Sequence, residues 1–182
     1  MRPPMVQSYS GWSLPRPSEY GIPARRTSRI ELWRVYLDLR PCRLVLPDCL
    51  RMWSCLRPLA PRLWHCSKDE GVGMYVVVMD RIADTEERMM TEEDHATLRE
   101  AIALLHEHNL VFGDLREPNV LLVKGGGLML VDFDWCGQEG AAKYPGDMND
   151  DGSIPWAQDA EAGQLIKKEH DLHMLTMLAR ED

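Results

Sequence analysis

No stretch of the 182 residues is long and apolar enough to span a bilayer, and the opening MRPPMVQSYSGW has no apolar core of the kind a secretory leader requires. An intracellular protein, cytoplasmic or nuclear, with no membrane partner is therefore expected. Disulfide and zinc frameworks are excluded on similar grounds: the five cysteines are odd in number and none forms a Cys-x-x-Cys pair. Cys42, Cys49, Cys55 and Cys66 read instead as small buried or half-buried thiols. Internal repeats and low-complexity tracts are missing too. Acidic residues are scarce at first: residues 1–66 hold 11 Arg and 4 acids, whereas residues 67–182 hold 10 basic and 25 acidic residues. The early arginines are scattered among prolines and tryptophans, without a run or an amphipathic face, so no nucleic-acid partner is expected.

What is present is an ordinary apolar fraction of 45%, in a chain long enough for one domain or two small lobes. Residues 1–29 are rich in proline and polar residues with no lasting period, which reads as a flexible tail. The run IELWRVYLDL, 30–39, suits a strand or a helix equally. A short helix over 48–59, capped by Asp48, would place Leu50, Trp53 and Leu56 on one face. Ala60–Trp64 and Met74–Met79 read as two strands around an exposed turn, Ser67–Gly73. Thr91 followed by Asp94 resembles a capping box, and the helix it opens is expected to reach about His108, with Leu98, Ile102 and Leu105 inward and His106 and His108 as cap or surface groups. A polar loop, Gln138 to about Gly163, has too few apolar residues to pack alone. A last helix from about Gln164 to Ala179 presents Leu165, Ile166, Leu172, Leu175 and Leu178 and is expected to dock on the preceding one.

Between these helices lies the most informative stretch, His106 to Gly137, HEHNLVFGDLREPNVLLVKGGGLMLVDFDWCG. Val120–Val123 and Leu128–Val131 are strand-like, and three glycines supply the freedom for a tight turn. With the turn centred on Gly126, Asn119 faces Phe133 and Val120 faces Asp132. Cross-strand neighbours sit roughly 5 Å apart, so Asn119 and Asp132 are expected to converge at the open end of the hairpin. Asp114 and Asn119 taken singly are ordinary turn residues. Two oxygen ligands together, with Asp114 just upstream, suit a hard divalent cation shared with phosphates.

These residues also carry a family pattern. Phe112-Gly-Asp-Leu-Arg-Glu-Pro-Asn119 has the D-x-x-x-x-N spacing of the protein-kinase catalytic loop, and Val131-Asp-Phe-Asp-Trp-Cys-Gly137 resembles the metal-binding DFG region. From about Ala60 to Leu178 the chain resembles a protein-kinase-like domain. It is similar to the divergent kinase-like domains of fungi and, more distantly, to choline and aminoglycoside kinases. The resemblance implies an α+β fold: a mostly helical large lobe, 81–182, with a catalytic-loop hairpin, joined to strands and hinge of an incomplete small lobe, 60–80, behind a poorly defined segment, 1–59. It further implies ATP and Mg2+ as cofactors, so that the partners are a nucleotide and a protein substrate or binding partner. Asp114 would orient or deprotonate the acceptor hydroxyl. Arg116, where protein kinases usually carry Lys and small-molecule kinases His, would touch the transferred phosphate. Asn119 and Asp132 would hold magnesium, and the backbone of Met79, Asp80 and Arg81 would pair with adenine. Asp171 would be the buried aspartate that steadies the catalytic loop, against a plain helix-surface role, and Asp134 stands open between metal side and solvent.

The chain also departs from that family. It has no G-x-G-x-x-G; Gly11 and Gly21 are isolated, the first lysine is Lys68 in the expected turn, and only Glu31 and Asp48 lie where an acidic partner for a lysine would be sought. Phe112 replaces the histidine that usually opens the catalytic loop, and no APE-like segment follows Gly137. The expected function is thus a protein-kinase-like, ATP- and Mg-dependent transfer to a protein Ser or Thr hydroxyl, with weak or no activity. The alternatives are an inactive pseudokinase that serves as a binding module and a small-molecule kinase.

Overall fold

The computed structural model describes residues 33–37, 59–69, 74–82 and 84–181. The tail over 1–29, the capped helix up to residue 58, Glu31, Cys42, Cys49 and Cys55 lie outside those residues.

Three antiparallel strands, β1 (Trp33–Leu37), β2 (Leu63–Asp69) and β3 (Met74–Met79), form a sheet in the order β1-β3-β2. Within the ambiguous run 30–39, Trp33–Leu37 is a strand because β3 offers it an edge, with Val35 opposite Val76. β3 has the expected bounds, whereas the strand expected at Ala60–Trp64 begins at Leu63 and extends to Asp69. Pro61 has no N–H to give to the ladder, and an irregularity between Leu63 and His65 resets the register further on. Ser67 and Lys68, expected in the turn, belong to β2, where Lys68 pairs with Tyr75 along the backbone.

Helix α1 (Glu92–Glu107) starts where its capping box says: Thr91 Oγ1 accepts from the Asp94 N–H at 3.2 Å, and Asp94 Oδ2 accepts from the Thr91 N–H at 2.8 Å. Leu98, Ala101, Ile102 and Leu105 form its fully buried face. Each large apolar side chain so removed from water contributes about 1.5–3 kcal/mol. After α1 come β4 (Leu110–Val111), a 3-10 turn (Glu117–Asn119), a hairpin of β5 (Val120–Leu122) and β6 (Leu128–Leu130), and β7 (Gly137–Gln138), which pairs back onto β4. The hairpin is flanked on both edges: the Leu130 N–H donates to the Leu59 carbonyl at 2.8 Å, and Thr85 bridges to Val123. The main core joins Val77 and Met79 of the sheet to α1, the hairpin, Phe112, Phe133, Met174 and Leu178.

The last helix, α2, runs Lys168–Glu181 rather than from Gln164. Leu165 instead bridges to Lys143, and Ile166 is fully buried before the helix begins. The helix does pack against α1: Asp171 meets His106, and Met174, Leu178 and in part Leu175 join the core, while Leu172 is 52% exposed. The loop from Gln138 finds its packing outside itself: Ala142, Tyr144, Met148 and Ala160 are buried with Val111 and Ile166, against Trp135 and Trp156. No helix among the described residues is long and apolar enough to cross a membrane.

Candidate functional site

The loop after β4 is positioned from behind by one carboxylate. Asp171, 1% exposed, accepts from the Phe112 N–H through Oδ2 and from the Gly113 N–H through Oδ1, each at 2.8 Å, and lies 2.9 Å from His106 Nε2. A carboxylate can be taken out of water when charge-assisted hydrogen bonds replace hydration, and three converge here. Of the two roles open to Asp171, the buried one is observed. His106 therefore is not a surface group; it is the α1 anchor of the same carboxylate. His108, exposed, hydrogen-bonds the Leu104 carbonyl and remains a cap. Gly113 has φ +84°, which turns two successive N–H groups toward one side chain.

Beyond Gly113 the chain gathers Asp114, Arg116 and Asn119. Asp114 is 4% exposed, and both its oxygens are engaged: Arg116 Nε donates to Oδ1 at 2.5 Å and Nη2 to Oδ2 at 2.7 Å. Asn119, buried at the end of the 3-10 turn, donates from Nδ2 to the Asp114 carbonyl at 2.8 Å and to Oδ2 at 2.9 Å. Five residues separate Asp114 from Asn119 because one tight turn, with Pro118 inside it and the Asn119 N–H on the Arg116 carbonyl, folds the amide back onto the carboxylate. The Arg116 guanidinium is held above its usual pKa by its hydrogen bonds to Asp114; burial opposes this, and the charges of Asp114 and Asp132 assist. Asp132 thus sits within electrostatic reach of the same group.

The hairpin register differs from the one expected. Val120 faces Leu130 and Leu122 faces Leu128, so the turn centres on Gly125 rather than Gly126. Asn119 pairs with Val131, whose N–H donates to the Asn119 carbonyl at 3.0 Å, not with Phe133. The Val123 N–H on the Gly127 carbonyl closes the turn one residue earlier, and three consecutive glycines, all at positive φ, leave local sequence with no preference between the two centres. Asp132 therefore lies beyond the ladder. It adopts φ 65°, a left-handed conformation that Asp and Asn tolerate best among residues with a side chain, and so turns out of the strand direction. Phe133 is buried edge-on against Phe112, with ring centroids 5.1 Å apart at 85°. Phe112 supports the residue after Asp132 through this apolar contact. Asp134 is exposed.

At the end of β3, Met79 is buried and Asp80 is tied to β2: its N–H donates to the Arg62 carbonyl at 2.9 Å, and its Oδ1 accepts from Trp64 Nε1 at 2.6 Å. The Arg62 guanidinium lies 3.8 Å over the Trp64 ring. A base that paired with this segment would have to use the Asp80 carbonyl or the backbone after it, since the Asp80 N–H is already engaged. Arg81 is exposed.

The magnesium expectation is consistent with the donor set. Asn119 commits its Nδ2 to Asp114, so its side-chain carbonyl oxygen would be the atom offered to a cation, and Asp132 would be the second hard oxygen donor. Among the described residues no group of three or more His, Cys, Asp or Glu is placed to hold a metal ion. Two protein oxygens, completed by phosphate and water, is the way magnesium is usually held.

Sequence reasoning missed His106 and the aromatic wall formed by Trp135, Tyr144 and Trp156, with ring separations of 5.7 to 6.1 Å. Trp156 lies 5.9 Å from Arg116 Cζ. Two tryptophans in an otherwise polar stretch were the available signal.

No family model matches the chain, and no curated protein matches it in sequence. Among solved structures, the kinase PK-1 of Cydia pomonella granulovirus superposes with a TM-score of 0.53 at 16% identity, covering 75% of this chain and 53% of that one. The fold is kinase-like and α+β, and the chain spans about half the length of the solved kinase it resembles.

Proposed function

We propose that this chain is a protein-kinase-like phosphotransfer module that binds Mg-ATP at the open end of the β5–β6 hairpin and directs the γ-phosphoryl group to a Ser or Thr hydroxyl of a protein. The observation that carries this reading is the Asp114–Asn119 hydrogen bond, within a kinase-like fold, with Asp132 in a left-handed conformation just past the hairpin. Asp114 would accept the hydroxyl proton as the acceptor oxygen bonds to the γ-phosphorus, the bond from that phosphorus to the bridging oxygen breaks, and ADP leaves. Asn119 and Asp132 would hold magnesium, which when bound neutralises charge on the phosphate oxygens. Arg116 would move from Asp114 to the transferred phosphate. Met79, Asp80 and Arg81 would border the adenine.

Slow turnover is expected, because G-x-G-x-x-G is missing and the first lysine, Lys68, lies in β2, the strand paired with the one that leads to residues 79–81. Loss of a preorganised cation at the phosphates costs orders of magnitude in rate. The observation that both Asp114 oxygens are already engaged favours a second reading, a nucleotide-responsive binding module without turnover.

A thermal-shift measurement with and without Mg-ATP tests both. Ligand at about 100 times its dissociation constant adds roughly 2.7 kcal/mol, and Asp132→Ala should abolish the rise in melting temperature. No rise at millimolar nucleotide rejects the nucleotide site. Transfer of labelled phosphate that disappears in Asp114→Asn supports the enzyme; Mg-ATP binding without transfer supports the binding module.

A further inference from the structure

We infer that Trp156 is a positioning residue that holds Arg116 on Asp114, so that the proposed catalytic carboxylate rests in a latched state. The inference rests on the phosphotransfer reading for its meaning, but its observations are separate. Arg116 clamps both oxygens of Asp114, and its guanidinium carbon lies 5.9 Å from the centroid of the Trp156 ring, within the distance at which a cation is attracted to an aromatic face. Trp156 does not swing there freely. Its Nε1 donates to the Asn149 carbonyl at 2.8 Å, its own N–H donates to the Ile154 carbonyl at 2.8 Å, and its ring leans on Trp135 and Tyr144. The loop that carries it is solvent-facing at Asp147, Asn149, Asp150, Asp151 and Ser153. Without the aromatic face, the Arg116–Asp114 pair would be a charge-assisted pair with one partner about one-third open to water.

The experiment follows the Arg116 Nε–H by nitrogen NMR in the full chain and measures its hydrogen exchange with water. That proton is bonded to Asp114, so it exchanges only when the clamp opens. Trp156→Leu keeps apolar bulk but removes the ring face, and should speed exchange about three- to thirtyfold, the range that a cation over an aromatic ring corresponds to. Trp156→Phe, which keeps a ring, should stay near wild type, and Asp114→Asn sets the fully opened limit. The Arg88 Nε–H, bonded to Glu86 at 2.7 Å away from this loop, serves as the control for general loosening. Equal Arg116 exchange in wild type and Trp156→Leu overturns the latch, as does an increase shared by Arg88. An absent Mg-ATP thermal shift in the wild-type sample rejects the nucleotide reading instead, whatever the exchange shows.

Discussion

Gly113 shows how much one residue type decides. At φ +84° a Cβ would stand 2.8 Å from Ile166 Cδ1 and 3.3 Å from the Trp135 carbonyl oxygen. The isoleucine tip can turn away; the backbone oxygen cannot. An L-residue at that φ already costs about 1–2 kcal/mol, so Gly113→Ala should destabilise by about 2 kcal/mol or more in urea unfolding. A milder loss would mean that the loop relaxes, and the Asp171 hydrogen bonds should then weaken with it. The same residue scale accounts for Phe112, whose edge-on contact with Phe133 fixes the residue after Asp132 by packing alone.

At the scale of elements, α1 owes its start to Asp94, which accepts from the N–H and hydroxyl of Thr91 and from Arg88 at 2.5 Å. The Arg88 hydrogen bond, chiefly, and the Thr91 bonds hold this carboxyl well below the ordinary carboxylate range, against the opposing effect of burial. A depressed folded-state pKa means that the unfolded chain takes up the proton first. The stabilisation is therefore complete above the unfolded Asp value of about 3.9 and is lost as the pH falls below it. Asp94→Asn should lower stability at neutral pH, and the gap from wild type should narrow steadily between about pH 4 and pH 2. Urea titrations at several pH values would measure it; a gap independent of pH would remove Asp94 from the account of acid sensitivity. Helix α2 has a different logic. Its inward face carries His170 and Asp171 beside Met174 and Leu178, so a leucine count finds Leu175 and Leu178 but overlooks the polar pair and includes Leu172, which points to water.

On the scale of the whole molecule, Asp171 binds three parts distant in sequence: α1 through His106, the loop after β4 through two amides, and α2 on which it sits. These parts should open together. The Phe112 and Gly113 amides are expected to exchange with solvent as slowly as those of Leu98 to Leu105, and Asp171→Asn, which keeps only one carbonyl acceptor, should speed them about tenfold or more, because hydrogen bonds to charged groups contribute about 1.5–3 kcal/mol. Exchange of those two amides ahead of α1 in the wild type would show that the loop opens by itself.

Local chemistry was legible where neighbours in sequence do the work: the Thr91–Asp94 box, β3, the existence of the β5–β6 hairpin, and the Asp114 to Asn119 spacing, which one tight turn converts into a hydrogen bond. By itself the sequence determined those short-range elements and the oxygen-bearing side chains they carry, because capping, turns and strand preference act over a few residues. The tertiary structure decided the rest: the turn centre among equivalent glycines, the β2 start past Pro61, the burial of Asp171 with His106, and Trp156 against Arg116. Each of these depends on which distant group can satisfy a buried polar atom or cover an aromatic face, and that choice exists only once the chain has closed on itself.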